Sequence, residues 1–392
     1  MKPVLYLSSG LMKERMLYAS QLLVGRMGGG RQIDCCVDSK KDEGLDLNQT
    51  GFVPASMLDE IFRCATLQRE TESGLRDSLG RFPELIVPWD ISKPWISLLA
   101  SALLKRDSPT LDGRVPENGC FSVIITHDID EVTGLEPTAL VKTLLHTIGL
   151  HEMWPEFKLA MSAKKWIANL ERLLQVEKDN KVGAYYFMLS GPYGLRRHSS
   201  RYDARWAQSK RIAQAISSAG MAVGLHGSYY AREEGSYATE RAHLEEAIGK
   251  PVNCHRNHYL RFDAVRLWDE LEGAGIQYDF SVGFSRRMGF RAGMATVYQA
   301  YSMTARRPSA VKAVPLLFSD GILHHGDVRG AIKKLRLALG EVSRCRGCVC
   351  LLFHPEAFMI DDKIYAVFEE VLQICKDMGA DMSGNLLAAE PP

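Results

Sequence analysis

No stretch of this sequence approaches the roughly 18 uninterrupted apolar residues of a membrane span, so the chain is not expected to cross one. A charge excess is also missing. Lys plus Arg number 48 against 47 Asp plus Glu, leaving no global field to draw the protein to nucleic acid or an anionic membrane. Recognition of an anion therefore has to be local. Internal repeats and low-complexity tracts are absent, which excludes solenoid and fibrous architectures. Nine cysteines are present, but their number is odd and their spacing irregular. Cys345 and Cys348 stand with two residues between them but without the second pair that a four-ligand structural zinc site requires, and Cys348 and Cys350 lie in an apolar run. They are expected as buried thiols rather than a disulfide framework. The N-terminal apolar run reaches Lys13, Glu14 and Arg15 after fewer residues than a secretory h-region has. A soluble, unexported, cytoplasmic protein is the expectation.

What is there is an ordinary globular balance, 46% hydrophobic and 24% charged over 392 residues, enough for one barrel with an appendage. Val4 to Leu7 has strand character and Leu11 to Met27 helical periodicity, stopped by the triple glycine at 28–30. That triplet follows a helix instead of preceding one, so it is a stop and not a phosphate cradle. Two more helices are expected at Leu58 to Leu67 and Trp95 to Lys105. A polar, turn-rich stretch from Pro109 to Gly119 puts a boundary near residue 117. The expected domains are 1–117, an α/β accessory segment, and 118–392.

Beyond the boundary a rhythm sets in. Strand-like runs occur at 121–126, 182–189, 222–227, 252–256, 278–284, 312–319 and 348–353, mostly separated by helical stretches at 155–178, 202–218, 237–249, 262–273 and 326–342. Gly220, Gly249 and Gly275 fall where helices should stop. Alternation of this kind implies parallel strands joined by right-handed crossovers. Seven strands over about 270 residues suit a closed or nearly closed barrel; a doubly wound open sheet is the alternative.

Polar residues follow nearly every run. Thr126-His127-Asp128-Ile129-Asp130 ends the first, His226-Gly227-Ser228-Tyr229-Tyr230 the third and His255-Arg256-Asn257-His258 the fourth. Asp279 begins the fifth, Asp320 ends the sixth and His354-Pro355-Glu356 the seventh. Singly, each has an ordinary explanation as a cap or turn residue. Together, at the strand ends of one parallel barrel, they converge on the face where active sites sit. An array of carboxylates and imidazoles there suits metal-assisted hydrolysis, in which an ion polarises a carbonyl and acidifies a water.

The ordered set Thr126-His127-Asp128-Ile129-Asp130, Gly224-Leu225-His226-Gly227-Ser228-Tyr229, Arg256-Asn257-His258-Tyr259-Leu260-Arg261, Tyr278-Asp279, Gly289-Phe290-Arg291-Ala292-Gly293 and Leu352-Phe353-His354 resembles the polysaccharide deacetylase (NodB-homology, carbohydrate esterase) superfamily, in a branch whose first motif is T-H-D-x-D. The resemblance covers about residues 120–360. The stretch from Leu58 to Pro83, with Asp77 and Arg81, resembles the segment preceding the barrel in that branch. The resemblance implies an α/β fold, a distorted seven-stranded parallel β/α barrel. It also implies a hydrolase, acting on an amide bond, that takes an acetyl or formyl group from an amino sugar in surface-polysaccharide, lipopolysaccharide O-antigen or sugar-nucleotide metabolism. A divalent metal, with zinc the expected ion, and a saccharide or sugar-nucleotide substrate follow. It further implies Asp128 as catalytic base, Arg256 orienting it, Asp279 as acidic support, and His354 as general acid. Asp130 and His226 are implied as metal ligands. The alternatives are a hydrolase of another C–N bond, in a ureide or formamide, and a catalytically silent saccharide-binding member.

Two departures stand out. The D-x-D spacing leaves base and ligand interchangeable between Asp128 and Asp130. Tyr230 falls where the family carries the second histidine of H-x-x-x-H, and a phenol with a pKa near 10 is a poor zinc ligand. Either His258, on the same face as Arg256, supplies the third ligand, or the site holds no metal tightly. His255, one residue from Arg256, is turned away by strand alternation. Arg291, between two glycines, is expected at the substrate as a bidentate anion binder, with Tyr229, Tyr230 and Asp320 beside it. Arg196 and Arg197 are expected as solvated surface, and Trp206 as core.

Overall fold

A computed structural model of the protein describes residues 4–6, 13–24, 34–36, 44–46, 52–84, 90–107, 121–132, 163–193, 198–360 and 362–386. The boundary expected near 117, the glycines at 28–30, Arg196 and Arg197 lie outside the described residues. So does the first part of the helix expected over 155–178. No described helix is long and apolar enough to cross a membrane.

The N-terminal strands are short: β1 (Val4–Tyr6), β2 (Asp34–Cys36), β3 (Gly44–Asp46) and β4 (Phe52–Pro54), in the order β2-β1-β3-β4. Only β1 had a clear apolar signature. The helix Ala55–Ala65 forms because Leu58, Ile61, Phe62 and Ala65 recur at helical spacing and are all buried. Its Phe62 meets Tyr18 of the helix Lys13–Val24 and Tyr301 of the C-terminal region, both edge-on. The N-terminal elements thus share one apolar cluster with residues 262–313.

The larger sheet comprises β5 (Phe121–Ile129), β6 (Tyr185–Leu189), β7 (Ala222–Gly227), β8 (Cys254–Asn257), β9 (Tyr278–Asp279), β10 (Tyr298–Ser302), β11 (Arg307–Ala313), β12 (Leu316–Ser319), β13 (Cys348–Leu352) and β14 (Ala380–Asp381). Its path is β10-β11-β9-β8-β7-β6-β5-β13-β12, with β14 on β5. Strands β5 to β9, β12 and β13 correspond to the seven expected runs, and the ladders among them are parallel. The strand β5 is buried along nearly its whole length, as a parallel strand covered on both faces must be. Beyond β9 the chain bends toward β12: Leu316 N donates to the Val282 carbonyl at 2.9 Å. A Cβ on Gly283 would lie 2.4 Å from that of Leu316, so glycine permits the approach. The fold is α/β, a curled parallel sheet with the form of a distorted β/α barrel.

One expected strand divides. The run 312–319 breaks at Val314 and Pro315: β11 pairs antiparallel with β10, and β12 pairs parallel with β13. Proline has no N–H to give a ladder, which favours the break. The hairpin went unseen because β11 alternates exposed and buried positions and carries charge at Arg307 and Lys312. Helices Ala207–Ser218, Tyr237–Ile248, Leu267–Gly273, Val328–Arg344 and Lys363–Asp377 cover the sheet. Gly249 and Gly275 end helices with φ of +70° and +71°, the left-handed stop that favours glycine. Cys64, Cys254, Cys345, Cys348, Cys350 and Cys375 are buried free thiols.

Candidate metal centre

Parallel register decides which side chains meet. His226 on β7 lies opposite Arg256 on β8, so both face one way, and His258 follows two residues on. The ligand atoms of Asp130, His226 and His258 all lie within 4.8 Å of one another. His226 Nε2 is 3.0 Å from His258 Nδ1, and each nitrogen is 3.2 Å from Asp130 Oδ1. His226 Nδ1 faces the Arg256 carbonyl at 3.0 Å. A carbonyl only accepts, so Nδ1 carries the proton and Nε2 presents a lone pair to the cluster. Asp130 Oδ1 is buried without a well-aligned donor. Two imidazole nitrogens and a carboxylate oxygen converging this way fit a divalent cation of the zinc type.

The charges agree. Burial works against ionisation of Asp130, but His258 and His226 hold its carboxyl well below the ordinary range. Burial pushes the His258 imidazole below its ordinary value, which favours the neutral, ligating form. His258 opens a tight turn in which Tyr259 and Leu260 take φ of +60° and +52°. Left-handed backbone costs a non-glycine residue about 1–2 kcal/mol, so two in succession next to a ligand must be held by their surroundings. Tyr230 packs its ring against Tyr229, with centroids 5.1 Å apart.

Asp128, expected as base, accepts from Arg256 at 2.9 Å, and its other oxygen lies 3.8 Å from His226 Nε2. Arg256 is fully buried. It also donates to Thr126 Oγ1 at 2.9 Å, to the Phe280 carbonyl at 3.0 Å and to the Cys350 thiol at 3.4 Å, beneath the Phe187 ring. Such a network fixes the guanidinium and with it the carboxylate.

His354 follows β13. Its Nδ1 meets Asp320 Oδ1 at 2.7 Å, its backbone N–H donates to Asp320 Oδ2 at 2.7 Å, and its Nε2 points toward Asp130 Oδ2 at 3.9 Å. Burial disfavours the charged imidazole, yet Asp320 outweighs it and, with Asp130 and Asp128, lifts His354 well above the ordinary histidine range.

Three expected site residues have partners that the sequence did not disclose. Asp320 is buried, with both oxygens accepting from His354. Arg291 is buried in the seam with the N-terminal helices, donating to both oxygens of Glu70 at 2.9 and 2.6 Å and to the Gly283 carbonyl, against Phe262 and Phe284. Its guanidinium is committed to Glu70 and Gly283. Asp279 bonds His255 Nδ1 at 2.8 Å and Ser281, so its hydrogen bonds support His255 and not Arg256. His255 itself turns away from the cluster, as expected, with its ring edge-on to Tyr237.

Two members of the strand-end motifs, His127 and Glu356, had no role assigned from sequence. His127 is buried, with Nδ1 at 2.8 Å from the Phe353 carbonyl and Nε2 at 2.7 Å from Glu177, which also accepts from Tyr186. It ties the end of β5 to the residue before His354. Glu356 accepts from the Glu131 N–H at 2.9 Å, and its second oxygen is buried without a partner. Burial, with Asp130 nearby, pushes its carboxyl up to about 8. Its only sequence signal was its place two residues after His354. Tyr229 stacks on His198, centroids 4.5 Å apart, beneath Arg261. Trp206 packs on the core and meets Tyr193 edge-on.

No family model and no curated protein matches the chain. Solved structures do. The chain is similar to a protein from Mycobacterium smegmatis provisionally named a polysaccharide deacetylase, at 16% identity and TM-score 0.48, over 70% of this chain and 90% of that one. It is similar to Puue allantoinase at 12% identity and TM-score 0.49, over 70% and 90%. It is also similar to the chitin deacetylase of the fungus Colletotrichum lindemuthianum at 12% identity and TM-score 0.36, over 68% and 84%. These overlaps are loose, and the chemistry rests on the residues of the site.

Proposed function

We propose that the protein is a metal-dependent hydrolase that removes an acetyl or formyl group from an amino sugar, its barrel beginning near residue 118 and residues 1–117 forming an accessory segment. The observation that carries this is the convergence of Asp130, His226 and His258 between a buried Asp128–Arg256 pair and a His354–Asp320 pair. A divalent ion held by the first three, zinc being the expected one, supplies Lewis acidity to the amide carbonyl and to a water. Asp128, oriented by its 2.9 Å contact with Arg256, takes the proton from the attacking water. His354, protonated because Asp320 stabilises its charge, gives a proton to the departing nitrogen as the C–N bond breaks. Products are a carboxylate and a free amine.

The substrate class comes from the ordered motifs of the sequence. Tyr230, four residues beyond His226, is the aromatic side chain we assign to the sugar, because the ring of Tyr229 is covered by His198 and Arg261. The same motifs place the protein in surface-polysaccharide or sugar-nucleotide metabolism. The test incubates zinc-loaded protein with N-acetyl and N-formyl amino sugars, free and nucleotide-linked, and measures primary amine. Amine release lost on chelation supports the proposal. Turnover of a ureide alone, or saccharide binding without turnover, contradicts it.

A further inference from the structure

The ligand His258 stands at the start of a turn whose next two residues, Tyr259 and Leu260, are left-handed, and neither is glycine. Something must hold that turn. The groups that reach it come from far away in the chain. Residues 77–81 form a closed loop: Asp77 Oδ1 accepts from the Leu79 and Arg81 amides at 2.9 Å each, and Gly80, at φ +74°, turns the chain. Asp77 Oδ2 accepts from Arg81 Nε at 2.9 Å, which aims the far end of the guanidinium outward. That end donates to the Tyr259 carbonyl at 3.1 Å and to Ser285 Oγ at 3.0 Å. From the barrel side, Arg261 Nε donates to the Leu79 carbonyl at 2.7 Å, and its other arm to the Tyr229 carbonyl at 2.8 Å. Arg232 donates to the Gly80 carbonyl at 3.0 Å. The loop and the turn are thus bonded in both directions.

We propose that the loop at 77–81, through Arg81 on the Tyr259 carbonyl and Leu79 on Arg261, holds the 258–260 turn in its left-handed form and so positions His258 as the third metal ligand. This rests on the metal reading above. Arg81 is a positioning residue: it touches neither the ligand nitrogen nor the cluster, but fixes the peptide that follows the ligand. It also accounts for how His258 serves where Tyr230 stands in place of a histidine. An imidazole on a strand end becomes a dependable ligand only when the backbone after it is pinned, and the pin belongs to the N-terminal segment.

The test measures Zn2+ affinity by competition with a chromophoric chelator, and the visible spectrum of the Co2+ form, on full-length protein. Loss of a group that orients a ligand typically weakens metal binding about 10–100-fold, and Arg81→Ala is expected to do so. Its Co2+ spectrum should shift toward that of His258→Ala. Asp77→Asn, a milder change that frees Arg81, should weaken binding less, and serves if Arg81→Ala does not fold. In a His258→Ala background, Arg81→Ala should cost nothing further, because the ligand it positions is gone. Arg63→Ala, which breaks an exposed pair with Glu72 on the same segment, should match wild type. Wild-type affinity and spectrum in Arg81→Ala, or an equal loss with and without His258, would overturn the inference while leaving the metal site intact. A wild-type protein that binds neither ion would remove the metal reading and the inference together.

Discussion

Among the described residues two arginine–carboxylate pairs are deeply buried, and their surroundings differ. Arg256 and Asp128 come from strands of the same sheet and meet where those strands end. Asp128 keeps its second oxygen turned to His226 at 3.8 Å. Arg291 and Glu70 join the barrel to an N-terminal helix, and both Glu70 oxygens are consumed by the guanidinium, between Phe262 and Phe284. The first pair leaves a carboxylate oxygen available for a proton; the second leaves nothing. An arginine's role therefore follows from what its partner has left to offer. Its neighbours in sequence do not disclose that.

Asp128→Asn should produce the largest effect: kcat falls about 10²–10⁴-fold, the usual share of a general base, while circular dichroism still reports a folded protein. Retention of more than about a tenth of the wild-type kcat would move the base to Asp130. Glu70→Gln should act on the other side of the comparison. It leaves Arg291 buried without its carboxylate, at a cost of about 3–5 kcal/mol in urea unfolding, with kcat per folded molecule unchanged. A catalytic defect at equal fold would return Arg291 to the substrate site.

Asp320→Asn should give a smaller, pH-dependent effect. His354 is raised on folding chiefly because Asp320 outweighs burial, so its protonated form survives above the ordinary histidine range. The alkaline limb of kcat against pH should move toward acid in the variant. At any pH above the limb, kcat should then fall about tenfold for every pH unit that the limb moves. Stability has the same sign. A pKa raised on folding contributes stability fully present below about 6.5, the unfolded value, and lost as pH climbs through the higher folded value. A limb that does not move would separate His354 from the acid role.

Much of the barrel was legible because parallel strands are buried on both faces and appear as apolar runs, and because Gly249 and Gly275 mark helix ends. The strand-end array was legible for the same reason, since its members follow those runs directly. The partners of Arg291 and Asp320 were not legible, because Glu70 and His354 lie 221 and 34 residues away and no local pattern announces an ion pair. The β10–β11 hairpin was missed because half-exposed alternation resembles loop composition. Glu356 was passed over because its significance is burial without a partner, a property of the packed site alone.

The central claim is that His258, not Tyr230, completes the metal site. It is tested most directly by metal stoichiometry of His258→Ala and Tyr230→Phe, purified and loaded with Zn2+ side by side. The account predicts less than about a tenth of the wild-type content in the first, since two ligands hold zinc poorly, and wild-type content in the second. Zinc kept by His258→Ala and lost from Tyr230→Phe would contradict it.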